Sequence, residues 1–240
     1  MIKLLGMTGR AGSGKDTAAG MLSDMLGFET YALASPIKNL VNSLFGWGYD
    51  HSEGSLKEQE LAVTFSSVGF GLFKHSWNEY NLELHTGEKP VPAALGILNT
   101  LGLNHTDTFG EVIGFISPRK AYQLVGTEWG RSFKDTLWLD IASDGLRTRA
   151  ESDDSWEHGS IKRGTIITDI RFPNERDWLE SMNGKLVHLD RGGYTRTEET
   201  SHSSEAGLEV GEDDWVLYNK GSLSDLRESV ADIASAVEEG

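Results

Sequence analysis

A glycine-rich segment near the start of the sequence carries its clearest chemical signal. It is Gly9-Arg10-Ala11-Gly12-Ser13-Gly14-Lys15-Asp16-Thr17, and it lies between a short apolar segment and a helical pattern. Glycines allow backbone amides to turn inward around phosphate oxygens, and the start of a helix adds a partial positive charge. We therefore expect a loop that binds the phosphates of ATP through Gly12, Ser13, Gly14, Lys15 and Thr17, with Lys15 reaching the β- and γ-phosphates.

Asp16 departs from the usual pattern of such loops, which carry serine or threonine after the lysine. Its carboxylate could hold a water molecule bound to Mg²⁺ or orient the acceptor of the phosphoryl group. Alternatively, Asp16 is an acidic residue that the positive end of the helix dipole favours. We expect it to be catalytic and to contact the metal through water.

A second polar group follows an apolar, β-branched segment, in the sequence Thr168-Asp169-Ile170-Arg171. Ligands of parallel sheets collect at the carboxyl ends of the strands, so Asp169 and Arg171 should face the glycine-rich loop. We expect Asp169 to bind Mg²⁺ through water, Arg171 to neutralise the transferring phosphoryl group, and Glu175 to orient Arg171. A purely structural ion pair between Asp169 and Arg171 is the alternative.

Two predicted helices begin with a serine-proline pair followed by basic residues. Lys38 follows Ser35-Pro36, and Arg119 with Lys120 follows Ser117-Pro118. A cation at the positive end of a helix costs about 0.3–1 kcal/mol, and a bound phosphate reverses that sign. We therefore expect phosphate binding at both helix starts, with solvent-exposed side chains as the alternative.

Four further residues are weaker candidates. Arg191 and Arg196 lie in a segment rich in Gly, Thr and Ser, where they would either close over ATP as a lid or remain solvated. We expect His202 to have a structural role at a helix entry. Trp138 is a candidate for stacking on a nucleobase.

Alternating apolar segments and helical periods define the elements that must position these residues. They predict an α/β fold of the P-loop NTPase class, a parallel sheet of about five strands flanked by helices, with an inserted substrate-binding region and a lid-like loop. The predicted strands are 2–7, 28–32, 165–168, 186–189 and 215–218. The predicted helices are 15–26, a helix from Ser35 as N-cap to Gly46, one from Ser117 to Arg131, and one after Ser222.

The pattern also predicts how a single domain, 1–240, is organised. Residues 1–45 and 117–240 form the expected core, and residues 190–204 the lid-like loop. Between 46 and 116 the periodicity weakens, which indicates an inserted substrate-binding region. The acidic, polar stretch 147–163 is expected to be an exposed linker.

Composition excludes several classes of protein. The 240 residues carry a net charge of −15, which argues against nonspecific binding of nucleic acid. The sequence has no cysteine, so disulfides, thiolate metal sites and cysteine nucleophiles are absent. No apolar stretch approaches the roughly 20 residues of a membrane span, and the first residues show no signal-peptide pattern. We expect a soluble, cytoplasmic protein that does not act at a membrane.

Several motifs together resemble the deoxynucleoside monophosphate kinases of tailed bacteriophages. They are GRAGSGKDT from Gly9, PRK and QLVGTEWGR from Pro118 to Arg131, TDIRFPNE from Thr168, HSSE from His202, and NKGSL from Asn219. The resemblance implies a nucleoside-monophosphate-kinase-like fold, with ATP and Mg²⁺ used to convert deoxynucleoside monophosphates to diphosphates. It also implies a phage source, the cytoplasm of an infected cell, a role in supplying DNA precursors, and the possibility of a homodimer.

The same resemblance assigns residues to the monophosphate site. Carried onto this sequence, that site comprises Lys38, Arg119, Lys120, Gln123, Gly126, Thr127 and Trp138. Two alternatives stay open at this stage. One is a P-loop kinase for another phosphorylated metabolite, of the dephospho-coenzyme A or phosphomevalonate type. The other is an ATPase switch that needs no acceptor.

Overall fold

The structure is a computed structural model that describes residues 3–10, 12–103, 110–152, 164–192 and 208–239, with the backbone alone for 149–152. Arg196, His202 and the predicted lid beyond residue 192 lie outside the described residues, as does most of the predicted linker.

The described helices and strands follow one another in a mixed order. They are β1 (Leu4–Gly9), α1 (Lys15–Leu26), β2 (Glu29–Tyr31), α2 (Ser35–Phe45), α3 (Tyr49–Ser52), β3 (Leu61–Thr64), α4 (Ser67–Glu79), α5 (Leu82–Thr86), α6 (Pro90–Thr100), β4 (Val112–Ile116), α7 (Pro118–Leu124), a π-helical turn (Val125–Trp129), α8 (Gly130–Phe133), α9 (Leu137–Ser152), β5 (Thr165–Ile167), α10 (Pro173–Ser181), β6 (Lys185–Asp190), β7 (Trp215–Tyr218) and α11 (Leu223–Glu239).

The chain divides into two compact units. Unit 1 comprises Met1–Leu33 and Ala150–Gly240, and unit 2 comprises Ala34–Arg149. Unit 2 includes more of the sequence than the predicted insertion, 46–116. The reason is that Leu40 of α2, Val125 of the π turn and Ile141 of α9 belong to the same buried core as Phe73 and Ile97 of the insertion.

Unit 1 contains a five-stranded sheet in the order β2-β5-β1-β6-β7. All four pairs of neighbouring strands are parallel. Leu5 of β1 lies opposite Ile166 of β5 on one side and Lys185 of β6 on the other. This arrangement confirms the predicted α/β fold with a parallel sheet of five strands, and it places β1 at the centre.

Side chains of β1 alternate between the two faces of this sheet. Leu5 and Met7 are fully buried in a core shared with apolar residues of α1 and α11. Gly6 points the other way, where a Cβ atom would lie 2.5 Å from Leu179 of α10. Helices therefore cover both faces, as the near-continuous apolar strands of a parallel sheet require.

The carboxyl ends of the strands bring the predicted catalytic residues to one edge of the sheet. β1 runs into the glycine-rich loop, β5 is followed by Asp169, β6 ends at Asp190 and β7 precedes Asn219. Because the strands are parallel, these ends share an edge, which is where α/β sheets bind ligands.

A buried carboxylate anchors the segment that enters β7. Asp214, with a side chain 4% exposed, pairs with Arg176 of α10 at 3.1 Å and with His188 of β6 at 2.8 Å. It also accepts a hydrogen bond of 2.6 Å from the amide of Gly211. These contacts fix residues 211–214 against the sheet and the helix beside it.

Unit 2 consists of helices and the two-stranded antiparallel sheet of β3 and β4. Its core is rich in aromatic residues, among them Phe73, Trp77 and Trp129. The π-helical turn widens the helical segment between α7 and α8. Such turns are uncommon in proteins and are frequent at functional sites.

Some predicted boundaries differ from the structure. Ser35 is the first residue of α2 and does not cap it, because Ala34 occupies the N-cap without a side-chain hydrogen bond. The predicted helix to Arg131 is divided by the π turn and ends at Phe133. The predicted linker begins too early, since α9 continues to Ser152. Among the described residues, no helix is long and apolar enough to cross a membrane.

Burial along α11 gives a direct test of the unit 1 core. Leu226 is 2% exposed, whereas Leu223 on the same helix is 64% exposed. We expect Leu226→Ala to lower the free energy of unfolding by about 2–5 kcal/mol through loss of burial and the cavity left behind. The control Leu223→Ala should change it by no more than about 0.5 kcal/mol. Urea denaturation followed by circular dichroism measures both, and equal effects would contradict the assigned packing.

Candidate active site

The glycine-rich loop adopts a backbone that side chains would obstruct. Gly12 and Gly14 have φ values of 72° and 99°, in the left-handed region. A Cβ atom on Gly14 would lie 2.5 Å from Nδ2 of Asn219. The left-handed conformation favours glycine at both positions, and at Gly14 the close approach of Asn219 also excludes a side chain.

The residues that directly follow β6 and β7 hold this loop in place. Asn219 Nδ2 donates a hydrogen bond of 2.8 Å to the carbonyl of Ser13, and Arg191 Nη1 donates one of 2.8 Å to the carbonyl of Gly12. The hydroxyl of Ser13 is buried and, within the described part of the chain, has no hydrogen-bond partner. A buried, unpaired hydroxyl beside a loop of backbone amides suits an oxygen-rich ligand such as a phosphate.

Lys15 lies among the charged residues that the sequence predicted around it. Its Nζ donates hydrogen bonds to the carbonyls of Gly9, at 2.7 Å, and Arg10, at 3.0 Å. Burial lowers the pKa of the Lys15 ammonium below 10.5, and the like charge of Arg171 lowers it further. Asp16 and Asp169 act in the opposite direction.

Because Arg171, Asp16 and Asp169 all affect the pKa of Lys15, these three side chains lie close to it. Lys15, Asp16, Asp169 and Arg171 share one small region of unit 1, at the carboxyl edge of the sheet. A cation whose charged state is disfavoured by burial and by a like charge gains most from a polyphosphate ligand. Thr17 and Asp16 are exposed in the first turn of α1.

Asp169 is fixed by a backbone contact. Its Oδ1 accepts a hydrogen bond of 2.7 Å from the amide of Leu33. The described residues contain no group of three or more His, Cys, Asp or Glu that could hold a metal by itself. Mg²⁺ at a nucleotide site typically takes one or two carboxylates together with phosphate oxygens and water, so Asp16 and Asp169 fit that requirement.

Glu175 positions Arg171 through the backbone. Its Oε2 accepts hydrogen bonds from the amides of Arg171, at 2.6 Å, and Phe172, at 3.0 Å. This contact is the reciprocal half of a cap at the start of α10. Glu175 therefore fixes the backbone of Arg171 and Phe172 at the start of α10.

In unit 2, the predicted phosphate-binding lysine is paired with a carboxylate. Lys38 Nζ binds Glu53 Oε1, and Lys57 Nζ lies 3.7 Å from Glu53 Oε2. Burial raises the pKa of Glu53, but the hydrogen bond and charge of Lys38, with the charge of Lys57, outweigh it and bring the pKa below 4.5. The pair is therefore ionised at neutral pH, and its contribution to stability is lost as the pH falls through that lowered pKa.

Arg119, at the second basic helix start, is also paired with a carboxylate. Arg119 Nη1 lies 3.1 Å from Glu58 Oε1, and the Arg119 amide donates to the carbonyl of Lys57 at 3.0 Å. Ser117 caps α7 as predicted, accepting a hydrogen bond of 3.4 Å from the amide of Lys120. The side chain of Lys120 is exposed.

The remaining predicted residues of the monophosphate site divide into two groups. Gln123 and Thr127 lie one turn apart and half-buried, with the Thr127 hydroxyl bonded to the Gln123 carbonyl at 2.7 Å. Trp138 is only 8% exposed, and its indole N–H donates to the Gly126 carbonyl at 2.9 Å. Trp138 therefore belongs to the core in this structure, where it supports the π turn, and its ring is covered instead of being available for stacking on a base.

Three residues in these regions were missed by sequence reasoning. Asn219 follows a predicted strand end, which is a usable signal, but its contact with the loop is visible only in the fold. Glu53 and Lys57 lie in a stretch without clear periodicity, and nothing in that pattern pairs them with Lys38.

Comparison with known proteins decides the family. A model of the deoxynucleotide monophosphate kinase family matches residues 3–230. The chain belongs to this family. The resemblance found in the sequence motifs is thereby confirmed, and the match includes both the glycine-rich loop and all of unit 2.

Three phage proteins illustrate the likeness. The deoxynucleoside-5′-monophosphate kinase of Escherichia phage T5 is 28% identical over 87% of this chain and 86% of its own length. The deoxynucleotide monophosphate kinase of Escherichia phage RB69 is 26% identical over 97% and 99%, respectively. The corresponding protein of Enterobacteria phage T4 is 26% identical over 94% and 95%.

Membership of the deoxynucleotide monophosphate kinase family gives the geometry a chemical meaning. Phosphoryl transfer needs donors that hold the phosphates in position and cations that neutralise developing charge. In unit 1 the glycine-rich loop, Lys15 and Arg171 lie together at the carboxyl edge of the sheet. In unit 2 the basic residues Lys38, Lys57 and Arg119 provide a separate group of cations.

A pair of glycine substitutions tests the loop. Gly14→Ala places a methyl group against Asn219 in a left-handed conformation, so we expect ATP affinity to fall by tenfold or more, about 1.4 kcal/mol or greater. The control is Gly20→Ala on α1, where a Cβ atom would meet nothing within 4 Å. That change should leave ATP affinity intact and stabilise the helix by about 0.5–1 kcal/mol. Titration calorimetry measures the affinities, and an unaffected Gly14→Ala variant would refute the assigned loop geometry.

The charges around Lys15 predict opposite shifts in two variants. Arg171→Ala removes a like charge and should raise the pKa of Lys15, whereas Asp169→Asn removes an opposite charge and should lower it further. In the wild type the lowered pKa means that charged Lys15 costs folding free energy at neutral pH, a cost that disappears as the pH rises towards 10.5. An NMR titration of the Lys15 side chain measures the shifts, and shifts of the same sign would contradict the arrangement.

Proposed function

We propose that this protein transfers the γ-phosphoryl group of ATP to the 5′-phosphate of a deoxynucleoside monophosphate, giving ADP and a deoxynucleoside diphosphate. One observation carries the proposal. In a member of the deoxynucleotide monophosphate kinase family, Lys15 lies at the end of a glycine-rich loop among Asp16, Asp169 and Arg171.

The donor nucleotide is assigned to unit 1. The amides of residues 12–15 and the start of α1 would hold the β- and γ-phosphates, and the Ser13 hydroxyl would find a partner there. Asp16 and Asp169 would hold Mg²⁺ through water, and the ion would supply neutralising charge to the phosphate oxygens. Lys15 would exchange its contacts with the loop carbonyls for contacts with phosphate.

The transfer itself needs little covalent chemistry from the protein. An oxygen of the acceptor phosphate forms a bond to the γ-phosphorus as the bond to the β–γ bridging oxygen breaks, and that oxygen leaves with ADP. Negative charge is redistributed over these oxygens during the step. Lys15 and Arg171 would stabilise that charge, while Glu175 keeps the backbone of Arg171 in place.

The acceptor monophosphate is assigned to the cations of unit 2. Lys38 and Arg119 each pair with a carboxylate, Glu53 and Glu58 respectively, and this supports their assignment to an anionic ligand. Lys120 is exposed in the same turn as Arg119, and Gln123 and Thr127 follow it at intervals of about one turn. A monophosphate would compete with Glu53 and Glu58 for these cations.

Measurement of ADP release distinguishes the proposal from its alternatives. ATP and Mg²⁺ are supplied first without an acceptor and then with each deoxynucleoside and ribonucleoside monophosphate in turn. Turnover that requires deoxynucleoside monophosphates supports the kinase assignment. Turnover without an acceptor indicates an ATPase switch, and silence across the panel indicates a kinase for another phosphorylated metabolite.

Alanine substitution tests the assigned charges. We expect Lys15→Ala and Arg171→Ala each to reduce kcat by about 10²–10³-fold, because each removes a cation that acts on developing charge. Arg227→Ala, an exposed arginine on α11, serves as the matched control and should leave kcat unchanged. Steady-state kinetics with each folded variant gives the result, and near-normal turnover in either of the first two would exclude its assigned role.

Removal of the Glu53 charge tests the acceptor subsite. Glu53→Gln frees Lys38 and Lys57 from a competing carboxylate, so the KM for the deoxynucleoside monophosphate should fall by about 1.4-fold to fivefold, the range for an exposed ion pair of about 0.2–1 kcal/mol. The KM for ATP should not change. Glu60→Gln, an exposed glutamate of the same segment, is the control. A rise in the acceptor KM would mean that Glu53 positions Lys38 for substrate and does not compete with it.

A further inference from the structure

Asn219 directly follows β7 and contacts the glycine-rich loop from a distant part of the sequence. Its Nδ2 donates a hydrogen bond of 2.8 Å to the carbonyl oxygen of Ser13, 206 positions away. A carbonyl oxygen can only accept, so the nitrogen of the side-chain amide is the atom that faces the loop. The contact therefore depends on the fold of unit 1 and not on local chain geometry.

The peptide unit between Ser13 and Gly14 gives this contact a consequence for ligand binding. The peptide is trans. A trans peptide is planar, and its C=O and N–H groups point in opposite directions. A carbonyl of Ser13 held against Asn219 therefore directs the N–H of Gly14 away from the Asn219 side chain.

The N–H of Gly14 is available to a ligand. Gly14 is the N-cap of α1, with a φ of 99°. Its amide makes no hydrogen bond within the described part of the chain, whereas the neighbouring amide of Ser13 donates to the carbonyl of Arg10 at 3.1 Å. A free N–H at the positive end of a helix is suited to an anionic oxygen such as that of a phosphate.

A second side chain contacts the loop but controls no free N–H. Arg191 donates to the carbonyl of Gly12 at 2.8 Å, so it holds the preceding peptide unit. The N–H of that unit belongs to Ser13 and already donates to Arg10. Of the two contacts, the one from Asn219 therefore governs the direction of an amide that a ligand can use.

The strand before Asn219 is anchored at both of its ends. The backbone amide of Asn219 donates to the carbonyl of Asp190 at 2.8 Å and continues the ladder in which Asp190 lies opposite Tyr218. At the entry to the strand, the buried carboxylate of Asp214 lies 2.8 Å from His188 of β6. These contacts hold β7 on β6 and so fix the backbone from which the Asn219 side chain extends.

The chain after Asn219 is fixed by the start of α11. The amide and hydroxyl of Ser222 donate to Asp225 Oδ2 at 2.6 and 2.8 Å, and the Asp225 amide donates to Ser222 Oγ at 3.3 Å. The bond from the Ser222 amide, together with that from its hydroxyl, holds the pKa of Asp225 below 3.8, so this acceptor is ionised at neutral pH. Only Lys220 and Gly221 separate this cap from Asn219.

We propose that Asn219 is a positioning residue of the donor site, which aims the Gly14 N–H at a phosphate oxygen of the bound nucleotide. The inference rests on the proposed function, in which that nucleotide is ATP, and it adds a residue that acts through the loop backbone. Glycine visits many backbone conformations, so a loop of glycines needs an outside contact to keep its amides directed before the ligand arrives. Such preorganisation lowers the cost of binding.

Calorimetric binding of inorganic pyrophosphate and of ADP tests the proposal without any transfer reaction. Asn219→Leu keeps the approximate shape of the side chain, adds no charge and removes the donor. We expect it to weaken both ligands by about tenfold, the value of one hydrogen bond to a charged group. Asn99→Leu, at an exposed asparagine on α6, is the control and should leave both affinities unchanged. Thermal unfolding establishes that each variant is folded.

The amide signal of Gly14 tests the direction of the N–H itself. In the wild type, saturating pyrophosphate should move the Gly14 amide proton downfield in an NMR titration, because the N–H then makes a charge-assisted hydrogen bond. In Asn219→Leu at saturating pyrophosphate, this movement should be reduced by about half or more. A movement of wild-type size in the variant would overturn the proposal.

Steady-state kinetics distinguishes positioning of the loop from a general loss of structure. Asn219→Leu should raise the KM for ATP by about tenfold and leave the KM for the deoxynucleoside monophosphate unchanged. A contact that orients the phosphates equally before and during transfer changes KM more than kcat. Equal rises in the two KM values would mean that the substitution disturbs more than the loop, and would count against the proposal.

The outcomes separate this inference from the proposed function. Weaker binding of pyrophosphate to Asn219→Leu supports the inference even if the wild type turns over no deoxynucleoside monophosphate, a result that would overturn the function alone. Weaker binding of ADP with unchanged binding of pyrophosphate would place Asn219 at the nucleoside and overturn the inference. Unchanged binding of both ligands, with turnover of deoxynucleoside monophosphates, overturns the inference and leaves the function standing.

Discussion

The close packing of the glycine-rich loop against the ends of β6 and β7 is the constraint on which unit 1 depends. Gly9 would place a Cβ atom 2.7 Å from the Leu189 carbonyl, and Gly14 would place one 2.5 Å from Asn219. Only a loop without side chains at these positions can lie against the ends of β6 and β7 with its amides turned inward. The position of Lys15, and with it the electrostatic group around Lys15, follows from that packing.

Unit 2 meets a different requirement, which is to keep several basic side chains close together without strong mutual repulsion. Lys38, Lys57 and Arg119 are balanced by Glu53 and Glu58 from one short segment. The aromatic core beneath fixes the helices that carry them. In this way an acidic protein holds three cations close together, each paired with a carboxylate of the same segment.

Much of unit 1 could be predicted from sequence because its signals are local. The strands of the sheet, α1 and its Gly27 cap follow from apolar periodicity and glycine placement. Unit 2 was less predictable, since its short helices pack through aromatic contacts between residues distant in sequence, and the π turn has no simple periodic signature.

Trp138 illustrates the limit, because a tryptophan near polar residues looked available for stacking until the fold showed its N–H bonded to Gly126. The buried Asp214 is similar, since its partners Arg176 and His188 are known only once the strands are ordered.

The order of strands in the sheet also determines when each strand can pair as the chain emerges during synthesis. β1 has β5 and β6 as its neighbours, and β2 pairs with β5, so the first part of unit 1 has no strand partners until about 165 residues have emerged. Unit 2 is a continuous stretch and holds its own core, so it can become compact while those strands wait. Pairing over such sequence distances is intrinsically slow, so we expect the sheet to close after the helices of unit 2 have packed.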